Sequence, residues 1–332
     1  MNLKEKVERL SAKPAMKLLK SLLALIFLMI VFSIATDKFF TLNNILTITM
    51  QMSIYALLAL GISYVLLVGG AELSAGSLVG ITGMSFVVML RTGFSIIPCL
   101  LITVVLGLFL GFLNGFMVAK MKLIPFIATL GMQYVARGFC QIIADGKSIS
   151  LASVVSDTKL YTVLKSIGSG RIGGFLPIST LIVAVFFVIH FIILNHTSFG
   201  RKVYAVGSNA EAARLSGINS DRIVIFSYMI SGLMATMAGL LFVMRLTVAQ
   251  PAGGDGYEFE GIAACVIGGI SMMGGEGTVV GAIIGASTLA VMRNGMNLLA
   301  INTFWQNVVT GVVIVAAVYM DIRRRAKEAT RL

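Results

Sequence analysis

No group of residues in this sequence has the spacing of a catalytic centre. Gly146-Lys147-Ser148 matches the end of a phosphate-cradling loop, but the required glycine five positions earlier is Gln141. No HExxH or GxSxG arrangement occurs, and His190 and His196 are the only histidines. His196 falls at an expected membrane boundary, which suits an interfacial residue. Cys99, Cys140 and Cys265 lie in apolar segments at no metal-ligand spacing and read as small core residues. We therefore expect no catalytic residues, no metal and no cofactor bound by this chain.

The chemistry on offer is recognition by polar groups inside apolar segments, where such groups are expensive and usually face a bundle interior or an aqueous path. Thr129, Gln133 and Arg137 recur every four residues, on one helical face with Phe126 below. This stripe could line a passage of sugar size, or serve equally as contacts between helices plus an arginine reaching towards headgroups. Asn294, Asn297, Gln306 and Asn307 accompany the sole tryptophan, Trp305. Amides beside an aromatic platform suit a polyhydroxylated ligand, although an interfacial belt also explains Trp305. Glu72 and Glu276 stand beside glycine-rich breaks, where they either cap backbone amides or, as we expect, face water at the inner boundary.

These residues need membrane elements to position them. The chain has 332 residues, 58% of them hydrophobic and 12% charged, with a mean hydropathy of +0.96, the profile of a polytopic membrane protein. About 20 apolar residues span a bilayer. That template fits near 19–36, 45–68, 77–90, 96–118, 124–144, 176–195, 223–246, 261–275, 278–298 and 303–320, numbered here as spans 1 to 10. The basic N-terminus followed by an apolar run mimics a signal peptide, but the run continues helically from Leu18, as an uncleaved first span would. The net charge of +12 is spread over loops and termini rather than massed with aromatics on one soluble face, which argues against nucleic acid. With both termini inside, inner segments carry 17 of the 26 Lys and Arg and outer ones carry 7. Positive-inside then places loop 197–222 in the cytoplasm. The expected organisation is a cytoplasmic basic segment 1–18, one transmembrane domain 19–322 containing that loop, and a basic tail 323–332.

The sequence also repeats itself. Gly69-Gly70 with Gly76 to Gly80 matches Gly268-Gly269 with Gly277 to Gly281, and Asn114-Gly115 precedes Gly131 as Asn294-Gly295 precedes Gly311. We expect an all-α fold of about ten transmembrane helices in two inverted-repeat bundles, spans 2–5 and 7–10. The breaks at Gly69, Gly70, Glu72 and Gly76, and at Gly268, Gly269, Gly274, Gly275, Glu276 and Gly277, imply irregular backbone at membrane depth. Such backbone is tolerated only inside protein or along a cavity, which makes these segments gate candidates.

Loop 197–222 contains a two-turn helix. Ser208 reads as its N-cap, Glu211 completes a capping box, and Gly217 ends it after Asn209, Ala210, Ala212, Ala213, Arg214 and Leu215. So short a helix is marginal alone and calls for a docking partner.

The run from Thr197 to Ile218 closely resembles the permeases of ribose, galactose, xylose and arabinose ABC importers. Pro125 to Gly131 with Arg137-Gly138 looks like the same family, as do Gly256-Tyr257-Glu258, Val266 to Gly269 with Gly274-Gly275, and Phe304-Trp305-Gln306. The similarity covers about residues 40 to 325. One departure is Glu72-Leu73-Ser74-Ala75-Gly76, where the family usually has an aspartate. The resemblance implies a monosaccharide permease of a bacterial inner membrane, paired with a second permease copy or a paralogue. It further implies a cytoplasmic ATPase with two nucleotide-binding halves, which carries the ATP and Mg, and an extracytoplasmic solute-binding protein. Residues 209–216 would be the coupling helix seated in the ATPase. Related patterns build permeases for nucleosides and branched-chain amino acids, and inverted repeats also occur in ion-coupled secondary transporters. Such carriers need buried titratable groups near mid-membrane, whereas Glu72 and Glu276 lie at span edges.

Overall fold

The computed structural model describes residues 14–329, with side chains from 18 to 323. Most of the expected basic N-terminus (1–13) and the end of the tail (330–332) lie outside the described residues. The helices that build the membrane part are α1 (Pro14–Ala35), α2 (Leu42–Leu67), α3 (Ala75–Arg91), α4 (Ile96–Ala119) and α5 (Pro125–Ile143). Next come β1 (Ile149–Ser150), α6 (Leu151–Val154), α7 (Thr158–Ser169), β2 (Arg171–Ile172) and β3 (Leu176–Pro177). The second half holds α8 (Ile178–His196), α9 (Ser198–Ser208), α10 (Ala210–Leu215), α11 (Ser220–Leu246), β4 (Val248–Ala249), α12 (Tyr257–Ile267), α13 (Val279–Leu298) and α14 (Thr303–Ala329).

Each expected span coincides with a helix, but they are not equivalent. Seven, namely α1, α2, α4, α8, α11, α13 and α14, are long and apolar enough to cross a membrane. The 17-residue α3 is a shorter apolar helix, α5 interrupts its apolar surface with Gln133, Arg137 and Gln141, and α12 has only 11 residues. The expected span 261–275 is thereby corrected. Gly269 takes φ +85° and the chain turns through 268–278, because Gly268 and Gly269 cannot sustain a helix that no later residue extends.

Two antiparallel helices, α2 and α11, form the buried centre, with α1 and α14 at the periphery. α11 packs along α2, α3 and α4, while α2 packs along α11, α12 and α13. α3 rests on α4 and α5 as α12 rests on α13 and α14. Exchanging α2 with α11, α3 with α12, α4 with α13 and α5 with α14 therefore preserves the pairing, and partners run in opposite directions. The offset of five spans holds, and Asn114 and Asn294 occupy corresponding helices. The glycine match does not fit that offset: Gly69–Gly80 joins α2 to α3, whereas Gly268–Gly281 joins α12 to α13. Glycine recurs wherever helices meet closely, so that similarity reflects packing and not shared position.

The closest helix contact shows this directly. Gly107, Gly111 and Gly115 form a stripe on α4 at four-residue spacing. A Cβ at Gly115 would lie 2.6 Å from Ile225 Cα, and one at Gly111 would meet the Tyr228 carbonyl and lie 2.9 Å from Met229 Cα. Backbone meets backbone here, and helices associate in lipid through such packing.

Contacts also sort the loops onto two faces. On one, Lys120 and Lys122 pair with Asp221 at 2.8 and 2.9 Å, Ser21 donates to Ile267 O and Ser271 to Asp321. The α9–α10 arm lies here too. On the other face β1 pairs with β4, Arg171 reaches Asn43, and Asn44 and Asn294 exchange amide hydrogen bonds of 2.9 Å. The segments expected on the inner side thus share one face.

Replacing Gly111 by valine is expected to cost ~1–3 kcal/mol, the usual penalty of overpacking. Thermal unfolding of the purified protein in detergent would read this as a fall in midpoint, whereas Gly131→Val, whose added Cβ meets nothing within 4 Å, is expected to change it much less.

Candidate functional site

The arm is more structured than a polar loop with one short helix. Thr197 caps α9, its hydroxyl accepting from Gly200 N at 3.2 Å. α9 then runs through Ser208, so the cap of α10 is Asn209, whose side chain accepts from Ala212 N at 2.9 Å. The expected capping box is corrected accordingly. Ser208 completes the previous helix, and Glu211 pairs with Arg214 at 3.2 Å instead of reaching back. The predicted stop stands: Gly217 has φ +80°, and Gly217 N and Ile218 N donate to Arg214 O and Ala213 O at 3.0 Å. Ala213 is buried, whereas Ala210, Glu211, Ala212 and Arg214 are exposed and Leu215 is 79% exposed. α10 presents an apolar tip flanked by one charge pair.

The base of the arm meets both glycine breaks. Gly275 N donates to Leu67 O at 2.9 Å, and Tyr204 OH donates to Gly277 O at 3.0 Å. A Cβ on Gly207 would collide with Leu67 O and lie 2.6 Å from Gly275 N; one on Gly274 would lie 2.8 Å from Gly207 O and 2.9 Å from Gly69 N. Gly69, Gly274 and Gly275 have φ +78°, +85° and +73°. Three chain segments therefore touch at one point through bare backbone, with the side chains of Tyr204 and Ser208 beside it. The glycine breaks expected separately are parts of one junction.

Glu72 does not face water as expected. It is fully buried, and its carboxylate accepts from Ser74 N at 2.8 Å and from Ser74 Oγ at 2.6 Å. Asn114 Nδ2 donates to Ser74 Oγ at 2.8 Å and to Glu72 at 3.3 Å. The Glu72 carboxyl group thus holds Ser74, the N-cap residue of α3, through its backbone and its hydroxyl. Gly76 leaves room there for Glu258 and Gly254 O. Glu276 accepts from Ser271 N through its carbonyl at 2.9 Å, closing the second break.

The α5 stripe faces protein. Thr129 donates to Pro125 O, Gln133 donates to the buried Glu258 at 3.0 Å, and Arg137 donates to Pro251 O and Gly253 O at 3.0 and 2.8 Å. Arg137 does not extend towards headgroups; two backbone carbonyls hold it. Phe126, 54% exposed, stands apart from these contacts. The amides near α14 also separate. Asn294 is buried against Asn44, Trp305 is 66% exposed, and Asn307 lies 3.5 Å from Arg293.

Asn297 belongs instead to a polar cavity of about 300 Å³ on the face opposite the arm. It accepts from Gln306 Nε2 at 2.7 Å. Gln51, Tyr55, Arg245, Tyr257 and Arg293 line the same space, and sequence reasoning passed over them. Arg293 is paired with buried Glu260, a span arginine and an apparent loop acid whose meeting no sequence separation announces. A larger cavity of about 650 Å³ between α1, α12, α13 and α14 is lined mainly by apolar groups such as Phe27, Leu28 and Met292. Gly146-Lys147-Ser148 is an exposed turn after α5. The three cysteines are free and buried, as expected, and no metal-binding group of His, Cys, Asp and Glu occurs among the described residues.

The sequence that builds this arm, junction and bundle matches a known group of proteins. Residues 44–318 match the family described as branched-chain amino acid transport system / permease component. The chain belongs to this permease family. It is 38% identical to the ribose import permease of Escherichia coli (strain K12) over 306 residues, covering 92% of this chain and 94% of that one. Identity is 33% to the autoinducer 2 import system permease of Photorhabdus luminescens, over 92% of this chain and 89% of that one. It is 31% to the xylose transport system permease of Haemophilus influenzae, over 92% and 96%. No solved structure matches the chain. The permease is a multi-pass membrane component of an import system, a transport subunit and not an enzyme, and it works with further subunits that power transport and supply solute.

Gly207→Ala places a methyl group against the Leu67 carbonyl. We expect this substitution to reduce solute uptake at least tenfold while membrane levels of the permease stay within twofold, measured by radiolabelled uptake and immunoblotting of the same membranes.

Proposed function

We propose that this permease forms the translocation pathway of an ATP-binding-cassette importer for a monosaccharide, a pentose or hexose of the ribose type. The observation that carries the reading is the arm: its tip, with Leu215 exposed, projects from the protein while its base touches both breaks. A partner that grips the tip gains direct leverage on α2 and on the turn before α13. Relatives named for ribose and xylose import span nearly the same length and favour a sugar cargo.

In this reading α10 seats in a groove of a cytoplasmic ATPase with two nucleotide-binding halves. ATP and Mg reside there, and this chain binds neither. Alternating access requires that the ATPase bind the two permease states with different free energy, since a partner indifferent to them shifts nothing. A solute-binding protein delivers sugar to the opposite face, and a second permease, identical or paralogous, completes the channel. The 17 of 26 Lys and Arg in the segments expected inside favour the cytoplasm of a bacterial inner membrane for the arm face and both termini. Each buried acid has a partner within the protein, which favours this reading over ion coupling: Glu72 accepts from Ser74, Glu258 from Gln133, and Glu260 pairs with Arg293.

The test is reconstitution of the permease with its ATPase and binding protein in proteoliposomes. ATP-dependent uptake of D-ribose or another monosaccharide is expected, and uptake driven by an ion gradient without ATPase would overturn the reading. In the same system, Glu211→Lys combined with Arg214→Glu is expected to lower sugar-stimulated ATP hydrolysis at least fivefold. Normal stimulation in that double variant would sink the assignment of α10 as the docking helix.

A further inference from the structure

The polar cavity opposite the arm is assembled from five helices: α2 gives Gln51 and Tyr55, α11 Arg245, α12 Tyr257, α13 Arg293 and Asn297, and α14 Thr303 and Gln306. Its volume of about 300 Å³ is at the small end of ligand sites, which run from ~300 to ~1,000 Å³. A single sugar ring suits that space and a longer saccharide does not. Tyr257 forms an aromatic wall, fixed edge-on by Tyr55 and Phe242 with ring centroids 5.7 Å from each.

The polar atoms of the lining are not all used by the protein. Gln51 Oε1 and Arg293 Nε are buried with no hydrogen-bond partner, a state that normally costs ~1–3 kcal/mol per group. One is an acceptor and the other a donor, the two roles that sugar hydroxyls can meet. Other lining groups are held in place: Arg245 donates to Met50 O at 3.1 Å, Gln306 donates to Ile301 O at 2.9 Å, and Glu260 balances the charge of Arg293. A branched aliphatic solute would leave these amides and guanidiniums unmatched.

We propose that this cavity is the permease's own station for one neutral sugar ring, with Gln51 and Arg293 contacting hydroxyls and the Tyr257 wall receiving the apolar ring face. The inference rests on the import function proposed above. It places sugar recognition inside one protomer, among helices from both halves of the inverted repeat. Gln51 and Tyr55 come from α2, and its repeat partner α11 contributes Arg245. Rearrangement of the two halves therefore changes the shape of the station itself, which allows weak binding in one state and release in the other.

Labelling of a Gln51→Cys permease in the assembled importer tests this, because the three native thiols are buried. A charged methanethiosulfonate is expected to modify the introduced thiol, and saturating D-ribose should slow that modification at least threefold while leucine does not. A thiol that never reacts, protection that leucine matches, or stronger protection by ribose 5-phosphate than by ribose would each overturn the proposal. Gln51→Leu provides the second measurement: the uptake KM for D-ribose should rise at least fivefold with the amount of assembled importer unchanged. An unaltered KM in a wild-type system that does import ribose overturns the station alone, whereas wild-type protein that imports no monosaccharide overturns the function on which it rests.

Discussion

The hydrogen bond from Gly275 N to Leu67 O, with Gly207 pressed against the same carbonyl, is the contact on which the rest of this permease depends. Three segments remote in sequence meet there backbone to backbone. Packed backbone is poorly compressible, so displacement at one segment has to move the others. α2 enters from the centre of the bundle, the turn before α13 from the second half, and α9 from the arm. Motion of the arm therefore reaches both halves of the repeat at one point. Side chains interposed there would absorb part of any push through rotamer changes.

Around that contact the bundle divides into a rigid centre and adaptable ends. α2 and α11 are buried against each other and the α4 glycine stripe locks α4 to α11, a unit with little slack. The polar contacts lie mostly near the membrane boundaries. Asp221 holds two lysines on the arm face, and the Asn44–Asn294 pair ties α2 to α13 on the other. Exposed ion pairs such as those of Asp221 contribute little stability, about 0–1 kcal/mol, and are suited to break and re-form as the halves move.

Much of this architecture was legible in the sequence because apolar length and glycine position are local signals. The spans, their five-element offset, the stop at Gly217 and the crowding of charge onto one face follow from runs of residues read in order. What escaped depended on partners far along the chain. Glu72 looked like a boundary acid until Ser74 and Asn114 were seen to enclose it. Glu260 carries no local signal of its partner Arg293, 33 residues further along the chain. The cap of α10 was misplaced by one residue because Ser208 and Asn209 are both good capping residues, and only the length of α9 decides between them. The polar cavity was nearly invisible, since Asn297 and Gln306 were the only lining residues that local composition had marked as site candidates.

The shortness of α3 has an electrostatic consequence. At 1.5 Å per residue its 17 residues extend about 26 Å, less than the ~30 Å of the hydrocarbon core. A helix this short leaves one end inside the core, and the N-terminus, where Glu72 and Ser74 are fully buried while Arg91 at the other end is exposed, is that end. Such an end carries the partial positive charge of unpaired amides, and transporters of anions leave half-helix ends open as attractors. Here the Glu72 carboxyl group occupies that position and accepts from Ser74 N. The chain's own side chain thus fills the place where an anionic solute would otherwise be drawn.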